Sequence, residues 1–125
     1  MRAIARRFAP ASHDPRTDQA EQLRLLTQPL YRFAADASGV IDGALFAYVV
    51  SNDPELLLLL EAVRDRATGI TGWQFSLARM SSRKQVVRVE DKQIWEVPNF
   101  SRDPNEDRMT GPYVEKRMGS FRSNR

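Results

Sequence analysis

Residues 43–63 read GALFAYVV (43–50), SNDPE (51–55) and LLLLLEAV (56–63). This is the most apolar part of the chain, and a short polar turn interrupts it once. Its reading decides the fold. In one reading, residues 44–50 form a strand, Ser51-Asn52-Asp53-Pro54 form a turn, and residues 56–63 return as a second strand. Asn and Asp suit such a turn because their short side chains bond nearby backbone, and Pro pre-sets φ. In the other reading, Asp53 caps a helix, Pro54 takes its first position, Glu55 favours the helix dipole and Gly69 ends it. Leucine's helix propensity supports the second reading. Periodicity favours the first. Five consecutive leucines would surround a helix, whereas a surface helix carries one apolar stripe. An unbroken apolar run suits a strand covered on both faces. We adopt the strand.

Working outward, WQFSLARM (73–80) alternates at the strand period after a loop holding Gly69 and Gly72. Trp73, Phe75 and Leu77 are expected to face the core, with Gln74, Ser76 and Ala78 on the open side. VVRVEDKQIWEV (86–97) reads as a further hairpin, turning at Asp91-Lys92 or through a four-residue loop over 90–93. Either turn pairs Val89 with Ile94 and Arg88 with Trp95, which predicts a cation–π contact on the outer face. Pro98 ends the sheet because it donates no ladder hydrogen bond. Upstream, TDQAEQLRLLT (17–27) reads as a short helix capped by Thr17 or Asp18 and stopped by Pro29. Residues 30–33 read as a short first strand.

Composition bounds the function. The chain has 125 residues, one domain's worth, with 42% hydrophobic residues and a formal net charge of +3. It has no cysteine, which excludes disulfides, thiolate nucleophiles and cysteine metal ligands and suits a cytoplasmic setting. The single histidine, His13, lies in a polar, Pro-flanked segment, a poor place for a zinc site or a histidine base. No apolar run reaches the length of a membrane span, so no membrane partner is expected. The basic opening MRAIARRFAP reads as a frayed terminus, with an anion-binding or targeting arm as the alternative.

Three constellations could carry chemistry. Arg79, Arg83, Lys84, Arg88 and Lys92 cluster near Trp73 and Trp95, and basic grooves with stacking aromatics bind nucleic acids. The candidate polyanion-binding set is therefore Arg79, Arg83, Lys84, Arg88 and Trp95, although Glu90, Asp91 and Glu96 interleave with it and weaken its field. Glu61 closes the leucine run, where burial could raise its pKa. Asp36 and Asp42 share a loop, but a calcium loop needs more oxygen ligands at tighter spacing. Ser81 and Ser82 lack a nearby histidine to activate them. The glycines at 69 and 72 match neither phosphate-binding pattern. No catalytic residue, metal ligand or cofactor is expected.

The pattern DGALFAYV…DPELLLLLEA…WQFSLARM, with QPLYRF before it and IWEVP after it, resembles a group of small uncharacterised bacterial proteins. The resemblance covers residues 28–98 and implies that these form the folded unit; it transfers no site. The expected architecture is α+β: one N-terminal helix and an antiparallel meander of about five strands. Residues 1–16 are expected as a flexible basic arm, 17–98 as the domain, and 99–125 as a polar, disordered tail. The expected function is a soluble, non-catalytic protein-interaction module with a protein partner, self or other. The alternatives are a nucleic-acid or polyanion binder and an enzyme subunit with carboxylate chemistry.

Overall fold

The leucine run is extended. The computed structural model describes residues 1–100, and among them the chain forms one short helix and nine strands. The helix is α1 (Arg2–Ala5). The strands are β1 (Phe8–His13), β2 (Ala20–Gln22), β3 (Arg24–Leu25), β4 (Tyr31–Ala34), β5 (Val40–Val49), β6 (Pro54–Arg64), β7 (Thr71–Arg79), β8 (Gln85–Val89) and β9 (Lys92–Val97). They make two antiparallel sheets. The first has the order β2-β1-β8-β9. The second has the order β3-β5-β6-β7, with β4 also on β5. The chain crosses between the sheets at Leu23, whose amide donates to the Pro10 carbonyl at 2.9 Å.

Sequence pattern explains the packing. On β6 the burial alternates: Leu56, Leu58 and Leu60 are buried, while Leu57 and Leu59 are only half-buried. The inner row meets Ala44, Phe46 and Tyr48 of β5, and Phe8 and Val87 of the facing sheet, in one core. The strand is therefore fully covered on one face and not on both. Beside it, on the outer face of β5, Tyr31 and Phe33 of β4 stack at 6.3 Å. The Phe33 ring lies over Gly43, where an added Cβ would come within 2.1 Å of it, so glycine makes room for the ring.

Two N-terminal expectations are corrected. Residues 17–27 are not a helix; they hold a hairpin turn and the short strands β2 and β3. Leucine spacing there serves the sheet crossing, with Leu23 buried between the layers. Residues 1–16 are not a flexible arm either. β1 lies between β2 and β8, inside its sheet. Ahead of it, Ala5 is fully buried, and its carbonyl accepts the buried Tyr48 hydroxyl at 2.6 Å. Burial raises the Tyr48 pKa, so the phenol stays a donor. The folded unit thus extends well upstream of residue 28. The tail expected over 99–125 lies, apart from Asn99 and Phe100, outside the described residues. Among the described residues, the α+β expectation becomes a mostly antiparallel β architecture with one four-residue helix.

The last hairpin shows turn chemistry and core burial in conflict. Glu90 and Asp91 have φ of 50° and 65°, the left-handed conformation that a two-residue type I′ turn requires. That turn pairs Val89 with Lys92 and Arg88 with Gln93. Continued regularly, it would turn Ile94 inward and Trp95 outward. Instead the register shifts between Val87 and Arg88, so Val87 faces Trp95, and Trp95 packs against the core. Ile94 is the extra residue of this bulge. Arg88 and Trp95 therefore occupy opposite faces, and the expected cation–π contact does not form.

One loop appears twice. DPRTDQ (14–19) joins β1 to β2, and DRATGI (65–70) joins β6 to β7. In each, the leading Asp accepts backbone amides two and three residues on, at 2.7–3.0 Å, and the Thr hydroxyl accepts a further amide at 3.3 Å. The fifth position is left-handed, φ 57° at Asp18 and 71° at Gly69. These bonds, first from Arg16 to Asp14 and from Thr68 to Asp65, hold both carboxyls below the usual range.

Two measurements check these assignments. In urea unfolding, Leu58→Ala should lose about 3 kcal/mol and Leu57→Ala clearly less. Comparable losses would show that both faces are core. Asp91→Gly should gain roughly 1 kcal/mol by relieving the left-handed backbone; a loss would contradict the type I′ turn.

Candidate protein-interaction edge

Among the described residues, β7 is the outer strand of its sheet: one side pairs with β6 over nine residues, from Arg64↔Thr71 to Leu56↔Arg79. Its inward row continues the core row of β6, since Trp73, Phe75 and Leu77 lie beside Ala62, Leu60 and Leu58. The facing sheet covers that row only in part. Leu77 is half-buried, and Phe75 meets Phe8 edge-on at 5.1 Å, yet Trp73 and Phe75 each remain 49% exposed. The expectation that this row joins the core thus holds for Leu77 and partly for Phe75. Ile70 and Met80, at the two ends of the strand, are also exposed. These four make up half of the eight large hydrophobic side chains exposed among the described residues, so the apolar surface is concentrated here. A shallow groove of about 480 Å³, lined by Val63, Asp65, Thr68, Ile70, Trp73 and Gln74, opens at the Thr71 end.

The remaining edges are guarded. β9 carries Lys92 and Glu96 and the bulge at Ile94. β4 carries Arg32, paired with Asp42 at 3.1 Å. β2 and β3 span only three and two residues. Charges, bulges and shortness are the usual means by which sheet edges resist further pairing. β7 has none of these between Thr71 and Ala78.

The basic candidates do not assemble into one surface. Arg79 sits on the inner row beside Leu56, and its guanidinium donates to the carbonyls of Ser81, Arg83 and Pro98 at 2.7–3.0 Å. It ties the β7–β8 turn to the end of β9, and burial lowers its pKa. Lys84 lies 3.6 Å from both Asp18 and Glu96. Arg83 and Arg88 are exposed, Arg88 reaching only the Asp91 carbonyl at 3.4 Å. Trp95 faces the core. Near the N-terminus, Arg7 pairs with Glu90 at 2.5 Å, and Arg2 and Arg6 are exposed.

The acidic candidates are engaged locally. Glu61 accepts from Gln74 on the neighbouring strand at 2.9 Å. Asp36 accepts from the Ser38 hydroxyl and amide, which hold its carboxyl low. Asp42 accepts from Arg32 and the Gly43 amide. Ser81 accepts the Arg83 amide at 3.2 Å. His13 lies 3.2 Å from Asp18. Among the described residues, no three His, Cys, Asp or Glu side chains converge as metal ligands, and no helix is long and apolar enough to cross a membrane. In the core, Gln85 donates to the Glu55 carbonyl at 2.6 Å, bridging the two sheets.

No protein family, curated protein or solved structure matches this chain.

Sequence reasoning placed Trp73 and Phe75 on the right strand and the right face. It missed that β7 is terminal in its sheet. The usable signal was the absence of any charge over residues 71–78 next to a loop and a basic corner.

The contrast among arginines is testable. Arg79→Ala should lower the melting temperature by several degrees, because three carbonyls lose a charged donor. Arg83→Ala and Arg88→Ala should leave it nearly unchanged. Equal effects would remove the structural role assigned to Arg79.

Proposed function

We propose that the protein is a non-catalytic protein-interaction module that accepts an extended segment along β7. One observation carries this reading: among the described residues, a nine-residue open edge, uncharged from Thr71 to Ala78, presents two half-exposed aromatic rings on its core-side face. Strand addition supplies main-chain hydrogen bonds for affinity and alternate side-chain contacts for selectivity. An added strand would also shield Trp73 and Phe75, extending the core row of Leu58 and Leu60. Burial of such rings is a main source of interface energy. The lack of cysteine suits a cytoplasmic setting for this module.

The polyanion reading draws no comparable support. Two of its five residues, Arg79 and Trp95, are occupied within the fold, and Lys84 sits between two carboxylates.

Selection from a displayed library of extended peptides tests the proposal. Wild-type protein should enrich alternating apolar peptides, and binding should protect β7 amides from hydrogen exchange. Trp73→Lys should weaken that binding about tenfold, by placing a charge on the face to be buried. Peptides that bind equally well to this variant, with no protection on β7, would refute the proposal.

A further inference from the structure

We infer that the segment seated on β7 is β7 of a second copy, paired antiparallel about a two-fold axis at Phe75. This inference rests on the strand-addition reading above and names its partner. The strand is self-complementary. Phe75 is the midpoint of Thr71–Arg79, so an antiparallel copy centred there pairs all nine residues. In that register Phe75 meets its own counterpart and Trp73 lies opposite Leu77 of the partner subunit. Ile70 lies opposite Met80 of the partner subunit. The exposed apolar side chains at 70, 73, 75 and 80 thus each find an apolar neighbour. On the other face Gln74 lies opposite Ser76 of the partner subunit, and Gly72 opposite Ala78 of the partner subunit, with no like charges opposed.

Neighbouring registers fit less well. Moving the axis one residue toward the C-terminus sets Trp73 against Arg79 of the partner subunit, whose guanidinium is held by three carbonyls. Moving it the other way sets Arg79 and Met80 beyond the partner's strand, opposite its loop residues. The shallow groove beside Ile70 lies where the Met80 side chain of the partner subunit arrives in the Phe75-centred register.

The guarded edges set the symmetry. A copy that added β7 to β9 would meet Lys92, Glu96 and a bulged ladder. Such a contact is also heterologous and builds rings or open filaments, whereas β7 on β7 closes at two subunits. The product is a continuous sheet running from β3 through β7 of one copy and back from β7 to β3 of the next.

Analytical ultracentrifugation of the full chain is the first test. Wild type should show a concentration-dependent dimer of the 14.3 kDa chain, and Trp73→Lys should weaken it about tenfold. Because the chain has no cysteine, single-cysteine variants give the register. Phe75→Cys should form a covalent dimer on mild oxidation, since a residue on the axis lies within disulfide reach of its own copy. Trp73→Cys should not, since its counterpart lies about 13 Å away along the strands. A wild-type monomer at all concentrations overturns the inference, as does cross-linking at 73 equal to that at 75. If the monomeric protein still captures extended peptides on β7, strand addition survives and only self-pairing fails. If it captures none, both fail.

Discussion

The inner row of β6 is the constraint on which the other contacts depend. Leu56, Leu58 and Leu60 are the only long aliphatic side chains buried on the central strand of their sheet, and each is essentially inaccessible to solvent. Their flanking strands are registered so that Tyr48, Phe46 and Ala44 stand on one side and Arg79, Leu77 and Phe75 on the other. A slip of one residue would turn this entire row outward and bring Leu57 and Leu59 inward. The facing sheet meets the same row, through Phe8 and Val87. Where that cover ends, at Phe75 and Trp73, the open edge begins. The core and the candidate binding edge are thus one apolar row seen at two degrees of burial.

Charge is used mainly to finish the fold. Arg79 gathers three carbonyls at the corner where β7, the following turn and the end of β9 meet. Asp14 and Asp65 do the complementary work at the opposite kind of site, gathering amides within hairpin loops. A buried or loop-held ion with its hydrogen bonds satisfied organises backbone that has no ladder partner. The side chains so engaged are not free to present a uniform field.

Much of the second sheet was legible in the sequence, and the reasons are local. The polar turn at 51–54, the five leucines and the alternation of 73–80 each carry one period, and the three agree. The leading reading of the N-terminal residues failed because information there is non-local. Residues 8–13 contain Pro10 and small side chains, which resemble a linker until β8 is known to lie beside them. Residues 17–27 contain good helix formers, but their leucines are needed where the chain passes from one sheet to the other. Trp95 was read in the wrong phase because its register is a compromise between a turn and a buried ring, and no single window of sequence contains both terms. The edge followed the same rule: strand and face were visible in residues 73–77, whereas terminal position is a property of the whole sheet.

The pairing of β1 with β8 has a temporal consequence. Phe8 faces Val89, and Arg7 reaches Glu90 across 83 positions of sequence. The meander β5-β6-β7 can zip through short closures, whereas the sheet containing β1 has to wait for a loop spanning most of the domain. On the ribosome, at roughly 5–20 residues per second, β1 spends several seconds with only β2 beside it before β8 emerges. Its small, proline-containing sequence is a poor template for mispairing during that interval, so the least sheet-like segment in composition occupies the position where delay is longest.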